Sequence, residues 1–172
     1  MALTTAGAAL SAGPSFRDRD TFSDTDTDFC GTGQTVLIEG SAVANIWIGS
    51  TGGDDEQEIK VTLNLMIRYT NPETGATVFE HWAVTRTNEI ISGLESGVHT
   101  HEFTERGLKA TYVLVGGGLI TRDAGSLTYR VTFDENDDVI DFDPVQIHGP
   151  HPQFIGESPG FCETLVPALG LD

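Results

Sequence analysis

Positive charge is scarce in this chain. Lys60 and Lys109 are its only lysines, and nine Lys and Arg together stand against 26 Asp and Glu, a formal net charge of −17. A polyanion of this kind is repelled by phosphate backbones and by anionic lipid surfaces, so nucleic acid is excluded as a natural partner. Cysteine is scarce too. Cys30 and Cys162 are the only two, and without a C-x-x-C pair they form no close-spaced zinc or redox motif. No apolar run approaches the roughly 20 residues that a membrane-crossing helix needs. The G-x-S-x-G turn of serine hydrolases is missing, and Gly116-Gly117-Gly118 is not followed by the Lys-Ser/Thr of a phosphate-binding loop. No complete catalytic signature remains.

What is present is enough chain for one domain with a real core, 172 residues. The two cysteines bracket nearly all of the patterned sequence, which predicts an end-to-end disulfide; two unrelated buried thiols are the alternative. Ahead of them, residues 1–16 are small and mildly apolar and include Ala6-Gly7-Ala8, like the tail of a signal peptide without its basic start. Arg17 to Asp28 is polar, Asp- and Thr-rich and without periodicity. Residues 1–28 are therefore expected to be a flexible leader, and residues 29–172 a single β-domain of a secreted, extracellular protein.

Within the domain, apolar and polar residues alternate. Glu58 to Tyr69 is the clearest case, with Ile59, Val61, Leu63, Leu65, Ile67 and Tyr69 on one face and Lys60, Thr62, Asn64, Met66 and Arg68 on the other. Asn71-Pro72-Glu73-Thr74-Gly75 predicts a turn, and Thr77 to Thr87 the returning strand. Thr35–Ile48 reads as a strand bent at Gly40. Further strands are expected over 98–105, 108–115, 119–122, 127–133 and 139–147, with joints at Arg106-Gly107, Gly116-Gly117-Gly118, Asp123-Ala124-Gly125 and Glu135-Asn136-Asp137. One short helical turn is expected at Cys162–Leu169. Short strands joined by short turns predict an all-β fold, an antiparallel up-and-down β-barrel, with a β-sandwich as the alternative. Side chains suited to line such a barrel, or simply to fill its core, are Trp47, Leu63, Leu65, Phe79, Trp82, Phe103, Tyr112, Leu114, Tyr129 and Phe133.

Histidine supplies the sharpest chemistry. His99 and His101 lie two apart on an expected strand and so project to one face, and His81 falls on a neighbouring strand, a set that would suit zinc, iron or copper. Exposed or hydrogen-bonded histidines account for the pattern equally well without a cofactor. Gly93, His99, His101 and Glu105 resemble the opening G-x5-H-x-H-x3-E motif of the cupins, which implies a metal-holding jelly roll. Tyr112 stands where that motif expects its next glycine, and only His148 or His151 remains as a distant fourth ligand. Asp134, Asn136 and Asp138 begin like a calcium loop, but Val139 and Val145 occupy the positions of its glycine and its chelating glutamate.

The tail offers a second likeness. Arg122-Asp123-Ala124-Gly125, then Gly149-Pro150-His151-Pro152, then Phe161-Cys162 with Leu165, Leu169 and Gly170, resembles the ending of small secreted actinobacterial proteins. The resemblance implies export and a disulfide-closed β-barrel, similar in outline to lipocalins and allene oxide cyclases, with Cys30 matching the early partner of Cys162. It implies no catalytic residues. The sequence thus predicts a non-enzymatic barrel that binds a small apolar molecule or a protein surface. The alternatives are a barrel enzyme, either metal-dependent or a cofactor-free cyclase or isomerase, and an assembly or adhesion subunit able to form homo-oligomers.

Overall fold

The computed structural model describes residues 13–50, 57–93, 97–151 and 159–171. Seven antiparallel strands lie in one sheet in sequence order: β1 (Phe16–Asp26), β2 (Val36–Ser50), β3 (Gln57–Thr70), β4 (Thr77–Ser92), β5 (His99–Leu114), β6 (Gly118–Phe133) and β7 (Val139–His148). Among the described residues one α-helix, α1 (Phe161–Leu169), follows them. The all-β, up-and-down expectation holds. One sheet in chain order differs from the two-layered sandwich or jelly roll.

The sheet is open. Among the described residues β1 pairs with β2 and β7 with β6, and no ladder joins β1 to β7, so the closure expected of a barrel is not seen. The strand count supplies a physical reason. Six antiparallel steps leave β1 and β7 pointing the same way, so an odd-numbered meander closes on itself only through a parallel pair.

Three expectations about elements are corrected. Residues 17–28, expected within a leader, largely form β1, paired with β2 from Phe16–Ile46 to Asp26–Val36. The joints expected at Arg106-Gly107 and Asp123-Ala124-Gly125 lie inside long strands, where Gly107 faces Gly125 across β5 and β6. A Cβ on Gly107 would sit 2.1 Å from the Ala83 carbonyl oxygen, and one on Gly125 2.0 Å from that of His148. These glycines admit a neighbouring backbone; they do not turn the chain. Gly40 likewise makes room, since its missing Cβ would fall 2.2 Å from the Phe22 ring. The Asn71–Gly75 turn and the Gly116–Gly118 turn stand where expected. The Ala6-Gly7-Ala8 stretch, most of the Ser50–Glu56 loop and the stretch from Pro152 lie outside the described residues.

The core occupies one end of the sheet. Val36, Tyr69, Val78 and Tyr112 meet Leu165, Leu169 and Leu171 there, with Phe29 from the short 3₁₀ turn at Phe29–Gly31. The rings of Phe29, Tyr69 and Phe161 stand within 6.1 Å of one another. Burial of three leucines is worth about 1.5–3 kcal/mol each, so α1 owes its place to this contact rather than to its nine residues of local propensity. Gly170, at φ 64, ends the helix in the left-handed conformation, and the buried Asn71 donates from Nδ2 to the Leu169 carbonyl at 3.0 Å. The Cys30–Cys162 disulfide, spanning 132 positions, ties the 3₁₀ turn to the first turn of α1. Replacing both cysteines by serine is expected to lower stability by roughly 2–5 kcal/mol in urea unfolding; a loss below about 1 kcal/mol would show that apolar contact alone holds the helix.

Candidate functional site

Direct partners in an antiparallel pair put their side chains on one face of the sheet. Leu63, Leu65, Ile67 and Tyr69 of β3 therefore share a face with Val84, Trp82, Glu80 and Val78 of β4, and this inner face is the one α1 covers at its end. Arg86 of β4, Glu105 and Phe103 of β5, and Leu127 and Tyr129 of β6 continue it. Of the side chains expected to line an interior, Leu63, Trp82, Phe103, Tyr112 and Tyr129 lie here, with Leu65, Leu114 and Phe133. Trp47 and Phe79 do not. Trp47 pairs with Lys60, whose Nζ stands 5.5 Å over its ring, and Phe79 pairs with Arg68, both on the outer face.

Three ionisable clusters cross the inner face. The first lies next to the core, where Glu80, 5% exposed, accepts from the Tyr69 hydroxyl at 2.7 Å, the Trp82 Nε1 at 2.6 Å and the Tyr112 hydroxyl at 3.2 Å. Neutral donors thus satisfy a buried carboxyl. Burial, and then the hydrogen bond to Glu80, push the Tyr69 phenol well up. Tyr112 belongs to this packed end and not to a cavity.

The second cluster is cationic. Glu105, 4% exposed, takes Arg86 (Nε at 2.7 Å and Nη2), the Lys109 Nζ at 2.8 Å and the Tyr129 hydroxyl at 3.0 Å. Burial alone would raise the Glu105 carboxyl, but the hydrogen bonds and charges of Lys109 and Arg86 outweigh it and hold it below the usual carboxylate range. Burial, followed by the Glu105 charge, pushes Tyr129 up to about 12. Arg86 and Lys109 keep about half and a third of their side chains exposed, so both present donors to an open hollow.

The third cluster joins Asp123, 1% exposed, to His151 through Nδ1 at 2.6 Å; His151 Nε2 lies 3.1 Å from the His148 carbonyl. Each imidazole nitrogen thus faces an oxygen, Nδ1 that of a carboxylate and Nε2 that of a backbone carbonyl. Clusters two and three border one cavity of about 200 Å³, lined also by Val84, Gly107 and Leu127. An adjoining hollow of about 140 Å³ shares Val84 and Glu105 and is walled by Val61, Leu63, Trp82 and Arg86.

Beyond Glu105 the inner face carries a run of rings. Phe103 stacks on Tyr129 at 5.2 Å and on His101 at 5.8 Å, and His99 stacks on Phe133 at 5.4 Å. His101 contacts the Asn88 Oδ1 at 2.8 Å, and burial, aided by His99, lowers its pKa. His81 lies on the outer face opposite Met66 and Thr111, so the structure does not bring it to His99 and His101. Among the described residues no group of three or more His, Cys, Asp or Glu is placed to hold a metal ion.

No protein-family model matches this chain, and no curated protein or solved structure matches it. In the three clusters, Glu80, Arg86, Lys109 and Asp123 escape the sequence reading as site residues, while Glu105 enters it only as a cupin-like ligand and His151 as a distant one. A signal existed for two of them, since Glu80 sits between Val78 and Trp82, and Glu105 between Phe103 and Gly107, at the two-residue spacing of in-facing positions.

Glu105 ionises more readily folded than unfolded. Its contribution to stability is therefore full above its ordinary value of 4.5 and is lost as pH falls through the lowered folded value. Urea midpoints of the native protein and Glu105→Gln should differ widely at pH 7 and converge towards pH 3. In an absorbance titration, Tyr69 and Tyr129 should remain un-ionised at about pH 11 for as long as the chain is folded, and Tyr129→Phe should remove the step near pH 12.

Proposed function

We propose that this protein binds a small amphipathic molecule bearing an acidic head, without transforming it. The observation that carries the reading is the convergence of Arg86 and Lys109 on the single buried carboxylate Glu105, at the end of an apolar trough formed by Val61, Leu63, Trp82 and Val84. Two of the nine Lys and Arg in a chain of net charge −17 meet at Glu105, Arg86 walling this hollow and Lys109 the adjoining cavity. Two cations face the one carboxylate of Glu105, and their remaining donors stand partly exposed and shielded on one side by protein, where an anionic head gains more than it would in open water. The half-buried aliphatic wall takes the apolar body.

The same groups argue for binding over catalysis. Glu105 is held ionised by its cations, and both nitrogens of His151 are engaged. The disulfide suits an oxidising, extracellular setting. Among the described residues no helix is long and apolar enough to cross a membrane.

Trp82 provides the readout, because Trp47→Phe leaves it as the only tryptophan. Dodecanoate, dodecanol and dodecyltrimethylammonium share one chain length and differ in head charge. Saturable change in Trp82 emission is expected with dodecanoate first, weakened about tenfold or more by Lys109→Gln. Equal response to the cation, or no saturable response to any of the three, would overturn the reading.

A further inference from the structure

Among the described residues β1 and β7 each pair on one side only, and these two edges are complementary to each other and not to themselves. On β1, Arg17 and Arg19 pair with Asn45 and Val43, which places them on the outer face. On β7, Asp141 and Asp143 pair with Thr132 and Arg130, also on the outer face. Both pairs have the two-residue spacing of neighbours along one side of a strand. The other side of β1 carries Phe16 and Phe22 among Asp18, Asp20, Asp24 and Asp26, and that of β7 carries Phe142, which rests 5.4 Å from Tyr129.

We infer that β1 of one copy docks beside β7 of a second copy of this chain, extending the sheet head to tail. Like-with-like pairing is disfavoured, since β7 against β7 sets Asp141 and Asp143 against their own duplicates, and β1 against β1 brings together the acidic series Asp18, Asp20, Asp24 and Asp26. Only the unlike combination sets Arg17 and Arg19 against aspartates. The apolar content of β7 calls for such a cover. All five of its large aliphatic and aromatic side chains, Val139, Ile140, Phe142, Val145 and Ile147, are 39% to 60% exposed, and Phe16 on the opposite edge is 60% exposed. Pro144 gives β7 no amide hydrogen to offer at its centre, which confines new main-chain pairing to the segments on either side. Because the two edges run in the same direction, the joint is parallel, and repeating it generates either a closed ring or a filament.

Sedimentation velocity on the full chain, at several concentrations in low and high salt, tests the inference. The native protein should form oligomers that weaken as salt rises, and Arg17→Asp with Arg19→Asp should weaken association at least about tenfold. The reversal Asp141→Arg with Asp143→Arg should do the same alone. Mixing the two variants should restore a heterologous pair, because the acidic β1 of one then meets the basic β7 of the other. Circular dichroism and the non-reducing mass report that each variant is folded. A native protein that stays monomeric at high concentration in low salt would overturn the proposal. So would variants that associate as tightly as the native chain, or a mixture that fails to recombine.

Discussion

The bond between Cys30 and Cys162 fixes the one place where, among the described residues, a second layer lies on this sheet. A sheet in a single layer has two faces to hide and, among the described residues, only a nine-residue helix to hide them with. By holding α1 over Val36, Tyr69, Val78 and Tyr112, the bridge turns one end of the sheet into a core and leaves the rest of the inner face as a surface. Everything the inner face offers beyond that end follows from this asymmetry. Aliphatic side chains of β2 to β4 stay half-exposed, and charges sit among them wherever a hydrogen-bonding partner can be found.

The inner face handles its charges in two ways. Next to the core, Glu80 is satisfied by a phenol on each side and an indole, so the cluster binds the sheet to itself. Further along, Glu105 draws two long cationic side chains across the face and leaves their remaining donors in the open. The contrast is one between a closed network and one whose donors are left over in a hollow.

The alternation in Glu58–Tyr69 made β3 legible, and the apolar spacing of Leu165 and Leu169 made α1 legible, because in both cases one face is apolar and the other is not. β1 was illegible for the same reason inverted. Phe16–Asp26 alternates between two polar faces, so no apolar period distinguishes it from a leader, and it is a strand because β2 offers it a ladder. Gly107 and Gly125 misled in another way, since glycine marks close approach as readily as it marks a turn. The inner charges were hidden by the habit of counting every Glu and Lys as solvent-facing, and Asp123 with His151 by their separation in sequence, which only the β6 fold and the following loop bring to 2.6 Å.

The position of the clasp also decides how the molecule bears tension. Strand β1 precedes Cys30, whereas β2 through β7 all lie between the two bridged residues. A pull applied through the two ends of the chain travels along β1, crosses the sulfur bridge and leaves through α1. It bypasses the six strands in between, which form a slack loop on the load path. The load therefore falls on β1 and its ladder to β2, while the hollow on β3 to β6 lies off its path.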